Sequence, residues 1–365
     1  MYIPIMKNRN EELSVIRDMN GYFDESIIPM MEVIKDKYKP QYKIDDLTGK
    51  FVYELKKGKK RKNRIKLTQT ENDIITLEDI QKRLNGKKAF IDFFRFSENE
   101  YDNKTFKGIE LSFRLSRDYD YYKQRLLQIG KFENLYPVIS IKKGLLISEH
   151  NLIKLITELR SNNSSIAIRI TDYFLDDYME LLENHLTEKD YVMLDIRNQD
   201  VDSKFIELEE FQELDTFAKK ILLNSPRSKK YKNGDYENLE FTKKIDNKVA
   251  IKYTDYELDG FGDFGGLKDE LPTVGGGNGT GAALGLMYLM EKNSFFSIVN
   301  YDTSIGMRGL EYVRSEILKR LELLDSNNDC IAINRIKSMK IKFGNWGTWS
   351  NLTLTRYIHQ QAQKK

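Results

Sequence analysis

One cysteine, Cys330, in 365 residues excludes an internal disulfide framework. Three histidines (His150, His185 and His359) are scattered, and no Cys/His spacing of a zinc site joins them. No apolar run reaches the roughly eighteen residues that a membrane-spanning helix needs. The opening "MYIPIMKNRN" has none of the basic start, apolar stretch and small-residue cleavage site of a secretory signal. A Walker loop is missing as well, because Gly281 is followed by Ala282 and Ala283 where a lysine and a hydroxyl residue would stand. These absences predict a cytoplasmic protein in a reducing setting, with no membrane partner and no resident cofactor.

Charge is scarce in sum but not in place. The net charge is +3, yet "KKGKKRKNRIK" (residues 56–66) holds eight basic residues and no acid. The remainder of the chain, 51 basic against 56 acidic residues, is mildly acidic at −5.

Hydrophobic residues make up 40% of the chain, enough for a sizeable core. They fall in short runs: 2–6, 27–33, 89–94, 136–141, 166–170, 191–196, 220–225 and 249–253. Each has the length and bulk of a buried parallel strand. Amphipathic stretches at 10–19, 121–132, 150–161, 174–186 and 205–220 alternate with them. Eight strands alternating with helices predict a (β/α)8 TIM-like barrel, with a doubly wound open sheet as the alternative. The barrel domain spans 1–330, and 331–365 is a C-terminal extension packed on it. "GLEYVRSEILKRLELL" (309–324) reads as the eighth barrel helix, and Trp346 and Trp349 as packing residues of a last helix.

Every predicted strand has a polar residue near its C-terminal end: Lys7, Glu32, Asp92, Ser140, Arg169, Asp195, Asn224 and Lys252. In a barrel these ends converge on one mouth. Two readings stand side by side. The ring is a salt-bridge network plugging the barrel, or it is a site. In the second reading Glu32, Asp92, Arg169, Asp195 and Lys252 are the catalytic candidates, with Mg²⁺ on the carboxylates and Lys7, Arg169 or Lys252 on phosphate oxygens. No D-x-D or similar local metal motif supports the grouping. Asp263, between glycines in "DGFGDFGG" (259–266), is a further candidate placed to reach the mouth.

The connection after strand 2 is long. "KFVYEL" and "RIKLTQ" flank the basic tip and predict a β-hairpin arm over 40–70 that overhangs the mouth. Lys59, Lys60, Arg61 and Lys62 are its polyanion-binding candidates. Arg227, Lys229 and Lys230 in "RSKKYK" follow strand 7 on the same face. Both runs also read as solvated lysine-rich loop tips. The glycine run "TVGGGNGTG" fits G-x-G-x-x-A loosely through Gly277, Gly279 and Ala282, but no strand precedes it. It reads as a hinge into an extra β-hairpin over 283–301, with a backbone anion nest as the other reading.

The opening "MYIPIMKNRNEELSVIRDM", followed by "IIPMMEV", is similar to the start of the beta-protein family of phages and bacterial mobile islands. The motif "DGFGDFGG", followed by a glycine-containing loop and a hairpin, resembles that family and a sister family of defence-island proteins. The arm departs from the family pattern. The resemblance implies a role in phage–host conflict, as an antiviral defence component or the protective half of a toxin–antitoxin pair. It supplies no catalytic residues. Two functions follow as expectations: a binding protein for a neighbour-encoded partner, or a Mg²⁺-dependent enzyme on nucleic acid or nucleotide.

Overall fold

The computed structural model describes all residues except 56, 57, 59, 97–107, 273–280 and 365. Strands come in chain order as β1 (Tyr2–Lys7), β2 (Met30–Val33), β3 (Tyr53–Glu54), β4 (Asn63–Arg64), β5 (Ala89–Phe93), β6 (Leu135–Ile141), β7 (Ala167–Thr171), β8 (Tyr191–Asp195), β9 (Lys219–Leu223), β10 (Glu240–Phe241), β11 (Gly260–Asp263), β12 (Ala283–Leu289) and β13 (Ser294–Asn300). Eight of them close a parallel barrel in the order β1-β11-β9-β8-β7-β6-β5-β2. The barrel strands are buried along nearly their whole length, which explains why they read as short continuous apolar runs.

The helices are α1 (Asn10–Asp18), α2 (Thr76–Leu84), α3 (Glu110–Arg117), α4 (Tyr119–Gln128), α5 (Glu149–Arg160), α6 (Leu175–His185), α7 (Phe205–Glu213), α8 (Val249–Lys252), α9 (Leu310–Leu318), α10 (Leu321–Leu324), α11 (Ile331–Ser338) and α12 (Trp346–Ala362). α5 shows why they form. Its Leu152, Leu155, Ile156 and Leu159 recur at helical spacing and are all buried, with Glu149 in the first turn and Arg160 in the last.

The last barrel strand lies elsewhere than the apolar pattern predicts. "VAIKY" (249–253) is not a strand; Val249–Lys252 is the short helix α8. The strand is β11, within "DGFGDFGG". Its glycines answer to crowding. A β-carbon on Gly262 would lie 2.6 Å from Leu223 Cδ2 and 2.8 Å from the Ile3 carbonyl oxygen. A strand that tolerates no side chain at its inward positions carries no apolar run.

The predicted hairpin after the barrel forms as β12 and β13, paired antiparallel from Ala283↔Asn300 to Leu289↔Ser294. β10, from the long excursion between β9 and β11, adds a third strand. α9 covers this sheet rather than the barrel. Its Leu310, Val313 and Ile317 join Met287, Ile298, Cys330, Ile333 and Trp349 in a second apolar core. The place beside β1 and β11 belongs to α12, whose Leu354, Tyr357 and Ile358 enter the barrel core cluster.

The arm forms where expected. β3 pairs with β4 through Tyr53↔Arg64 and Glu54↔Asn63. Its root is clamped: the Arg125 guanidinium on α4 donates to both oxygens of Asp36 at 2.8 Å, and Lys39 N donates to the Asp73 carbonyl at 2.7 Å.

Candidate functional site at the barrel mouth

Register alone assembles half of the site. Lys7 is level with Glu32, and Glu32 with Asp92, across β1, β2 and β5. Ser140 is level with Arg169 across β6 and β7. Lys7, Glu32, Asp92, Ser140, Arg169 and Asp195 all lie buried at the C-terminal end of the barrel.

Their charges close a ring. Lys7 Nζ donates to Glu32 Oε2 at 2.6 Å. Arg169 Nη1 donates to Glu32 Oε1 at 2.8 Å and to Asp92 Oδ2 at 2.9 Å. Its Nε reaches Asp195 Oδ2 at 2.9 Å. Arg197 follows, its Nη1 lying 3.5 Å from Asp195 Oδ2 and its Nη2 3.9 Å from Asp269 Oδ2. Asp269 Oδ1 accepts from Lys7 Nζ at 2.7 Å and returns the circuit to its start. Cation and anion alternate all the way round. Asp92 is a branch on Arg169, and Ser140 Oγ lies 2.9 Å from both of its oxygens.

Electrostatics follow this geometry. Burial opposes ionisation of Glu32, but Lys7 and Arg169 outweigh it and hold the carboxyl below its ordinary range. Burial likewise opposes ionisation of Asp195, and Arg169 and Arg197 again win. Asp269 is also held low, by Lys7 and Arg197 against burial. Asp92 goes the other way: burial, with Glu32 adding to it, outweighs Arg169 and raises its pKa. Lys7 and Arg169 are raised, their carboxylate partners overcoming desolvation.

Little space is left. The cavity among Asp92, Ser140, Arg169, Asp195 and Arg197 measures about 10 Å³, at the lower edge of what one water needs. Above the ring, Ile34, Phe94, Phe96, Ile109, Phe113 and Leu271 form an apolar cluster. Lys7 Nζ lies 4.7 Å from the centre of the Phe264 ring. Among the described residues, no group of three or more His, Cys, Asp or Glu side chains is placed to hold a metal ion. The residues do not fit a resident Mg²⁺ as arranged, because the Arg169 guanidinium bridges the three carboxylates that would ligate it.

Other expected residues lie elsewhere. Lys252 is on α8, pairs with Asp255 at 3.1 Å and takes no part in the ring; the expectation that it lines the mouth fails because its apolar segment forms a helix instead of a strand. Asp263 ends β11 but faces outward, against α12. It accepts from Tyr2 Oη at 3.0 Å, Tyr357 Oη at 2.6 Å and Gly265 N at 2.8 Å. Burial raises its pKa to about 6 despite these three donors. Asn224 is buried and donates to the Arg197 and Gln199 carbonyls, so it braces the loop that carries Arg197. Arg227 is tied to Tyr236 Oη and the Gly266 carbonyl. Lys229 is exposed but close enough to Asp269 to lower its pKa, and Lys230 is exposed beside the Tyr231 ring. Lys60, Arg61 and Lys62 are exposed at the arm's end. Lys59, Gly277 and Gly279 lie outside the described residues.

Sequence reading misses Asp269 and Arg197. Arg197 stands two residues past Asp195, beyond the apolar run used to mark the strand end. Asp269 follows β11, and only the correct placement of that strand puts "GGLKDELP" at the mouth.

The family model described as Beta protein matches residues 2–217. The match takes in six of the eight barrel strands, the arm, and every member of the ring except Asp269. No curated protein matches the chain.

Proposed function

The chain belongs to the Beta protein family, and from that premise we propose that it is a binding protein: a closed scaffold that neutralises or activates a neighbour-encoded partner protein in phage–host conflict. One observation carries this reading. Each mouth carboxylate lies within ion-pair distance of a guanidinium or ammonium group, and the enclosed space is about 10 Å³. A general base or nucleophile needs a free lone pair and a substrate beside it. Here the lone pairs are engaged and a substrate has no room. A buried ion network of this kind favours one packing of the barrel strands over others, because every alternative register leaves a buried charge unpaired. The phage–host setting rests on the resemblance alone, and the scaffold role on the mouth.

The test is recovery of the protein from its native operon. A tagged copy is expected to bring down a neighbour-encoded protein in fixed stoichiometry. The Arg169→Lys variant, if still folded by circular dichroism, is expected to bring down the same protein. Recovery of the chain alone at every salt concentration would overturn the reading. So would a phosphohydrolase activity that the Arg169→Lys variant loses while staying folded.

A further inference from the structure

The arm carries a charge that the barrel does not share. Residues 39–70 hold eleven basic and three acidic residues, a net +8, against a net −5 for everything else. Three segments knit its base together. Val52 N donates to the Lys43 carbonyl, Lys43 N to the Ile65 carbonyl, and Ile65 N to the Val52 carbonyl, at 2.9, 2.9 and 3.0 Å. Arg64 lies over the Phe51 ring at 4.1 Å and over Tyr42 at 5.5 Å, which stiffens the same region. Beyond this base the arm narrows to the two-stranded ribbon β3–β4.

Very little of the ribbon is covered. Lys60, Arg61, Lys62, Arg64 and Lys66 are all exposed, and among the described residues Lys60, Arg61 and Lys62 pair with no carboxylate. Tyr53 and Leu55 are 51% and 59% exposed, and Leu47, in the turn that precedes β3, is 97% exposed. Cations that serve only solubility need no stiffened support, and a hairpin alone is marginal in water. This one is braced at its root and base, and among the described residues it presents Lys60, Arg61 and Lys62 at its tip.

We propose that the arm is a duplex-DNA-binding element whose two-stranded end enters the major groove. Charge complementarity names a polyanion. Shape narrows it further: the B-form major groove admits a two-stranded ribbon, whereas that of A-form RNA is too deep and narrow for side chains to read. The barrel's negative remainder keeps it off the phosphates, so contact falls to the arm. Lys43, Lys50, Lys60, Arg61, Lys62 and Lys66 supply the phosphate contacts, which position the ribbon without reading sequence. Tyr53 and Leu55 meet the groove floor. The assignment is independent of the mouth and holds whether or not a protein partner is found.

Fluorescence anisotropy with labelled duplex DNA of mixed sequence tests it, beside double-stranded RNA and single-stranded DNA of the same sequence. With six phosphate contacts, affinity for duplex DNA should fall about 10³-fold between about 50 mM and about 200 mM salt. The Lys60→Ser/Arg61→Ser/Lys62→Ser variant should bind at least about tenfold more weakly at the lower salt, with a log–log salt slope shallower by about 2.7. Its melting curve should match the parent's, which separates lost contacts from lost folding. No binding by the parent, or equal binding by the triple variant, would overturn the proposal. Equal or tighter binding to double-stranded RNA or to single strands would overturn the groove assignment. Capture of an acidic protein by the arm without any DNA binding would assign it instead to protein docking.

Discussion

Lys7 and Lys60 carry the same charge under opposite conditions. Lys7 is fully buried between two carboxylates, 53 residues along the chain from a lysine that is exposed. The mouth and the arm share residue types and differ in pairing. At the mouth each charge of the ring has a fixed partner on another strand or loop. On the arm, among the described residues, Lys60, Arg61 and Lys62 pair with no carboxylate, which is the condition for meeting a partner from outside. Neither exposure nor charge alone separates an architectural ion from a binding one; the separation comes from counting partners. By that count Arg169, a catalytic candidate in sequence, is proposed as architectural, and Arg61 as available.

Removing Arg169 should break the comparison hardest. Arg169→Met leaves Glu32, Asp92 and Asp195 facing one another with their shared cation gone. The expected cost is about 3–5 kcal/mol or more, seen as a large fall in the urea midpoint. Arg169→Lys should recover only part of it, since one ammonium cannot reproduce the fork that spans three carboxylates. A midpoint near the parent's for the methionine variant would refute the architectural reading.

Asp263 is the buried charge that breaks the mouth's rule, since its three donors are two hydroxyls and an amide rather than cations. Its folded pKa, about 6, lies above the unfolded value near 3.9. Between those values the folded state binds more protons than the unfolded one, so this group lowers stability as pH rises. On acidification it returns about 3 kcal/mol, beginning as pH falls through 6 and complete below about 4. The ring carboxylates held low have the opposite sign, their contribution being lost only as pH falls below about 4. Asp263→Asn should therefore be the more stable protein at pH 7, and the gap should close towards pH 4. Parallel stability profiles for the two proteins would show that Asp263 has the same pKa in the folded and unfolded states, and would overturn the burial penalty.

Gly262→Ala probes the same closure by size instead of charge. Its β-carbon would press on Leu223 and on the β1 backbone, at an expected cost of about 1–3 kcal/mol by chemical denaturation. The smallest effect belongs to the arm: Leu47→Ser should change stability by less than about 0.5 kcal/mol, because Leu47 is 97% exposed. A larger loss would mean that the arm folds back on the barrel in solution.

How much of this is legible in the sequence follows from what each element looks like as a string. Seven of the barrel strands announce themselves as short apolar runs because both of their faces are buried. β11 does not, since its inner positions are glycines selected by lack of room. That single omission moves Lys252 into the mouth and leaves Asp269 out of it. The arm is legible because basic tips and flanking strand patterns are local. The ring's circuit is not, because whether Glu32 meets Lys7 or a metal depends on where Arg169 lies, 137 residues away.

The seam between β1 and β11 also sets a timetable. Pro4 is level with Asp263, and Asn351 on α12 donates to the carbonyl of Glu11, 340 residues earlier. At synthesis rates of roughly 5–20 residues per second, β1 waits on the order of tens of seconds for its second neighbour. Throughout that interval the nascent barrel is an open sheet with two unsatisfied edges, β1 among them. Closure waits for β11, so a ribosome that stalls before that strand leaves behind an open sheet that invites pairing with other nascent copies.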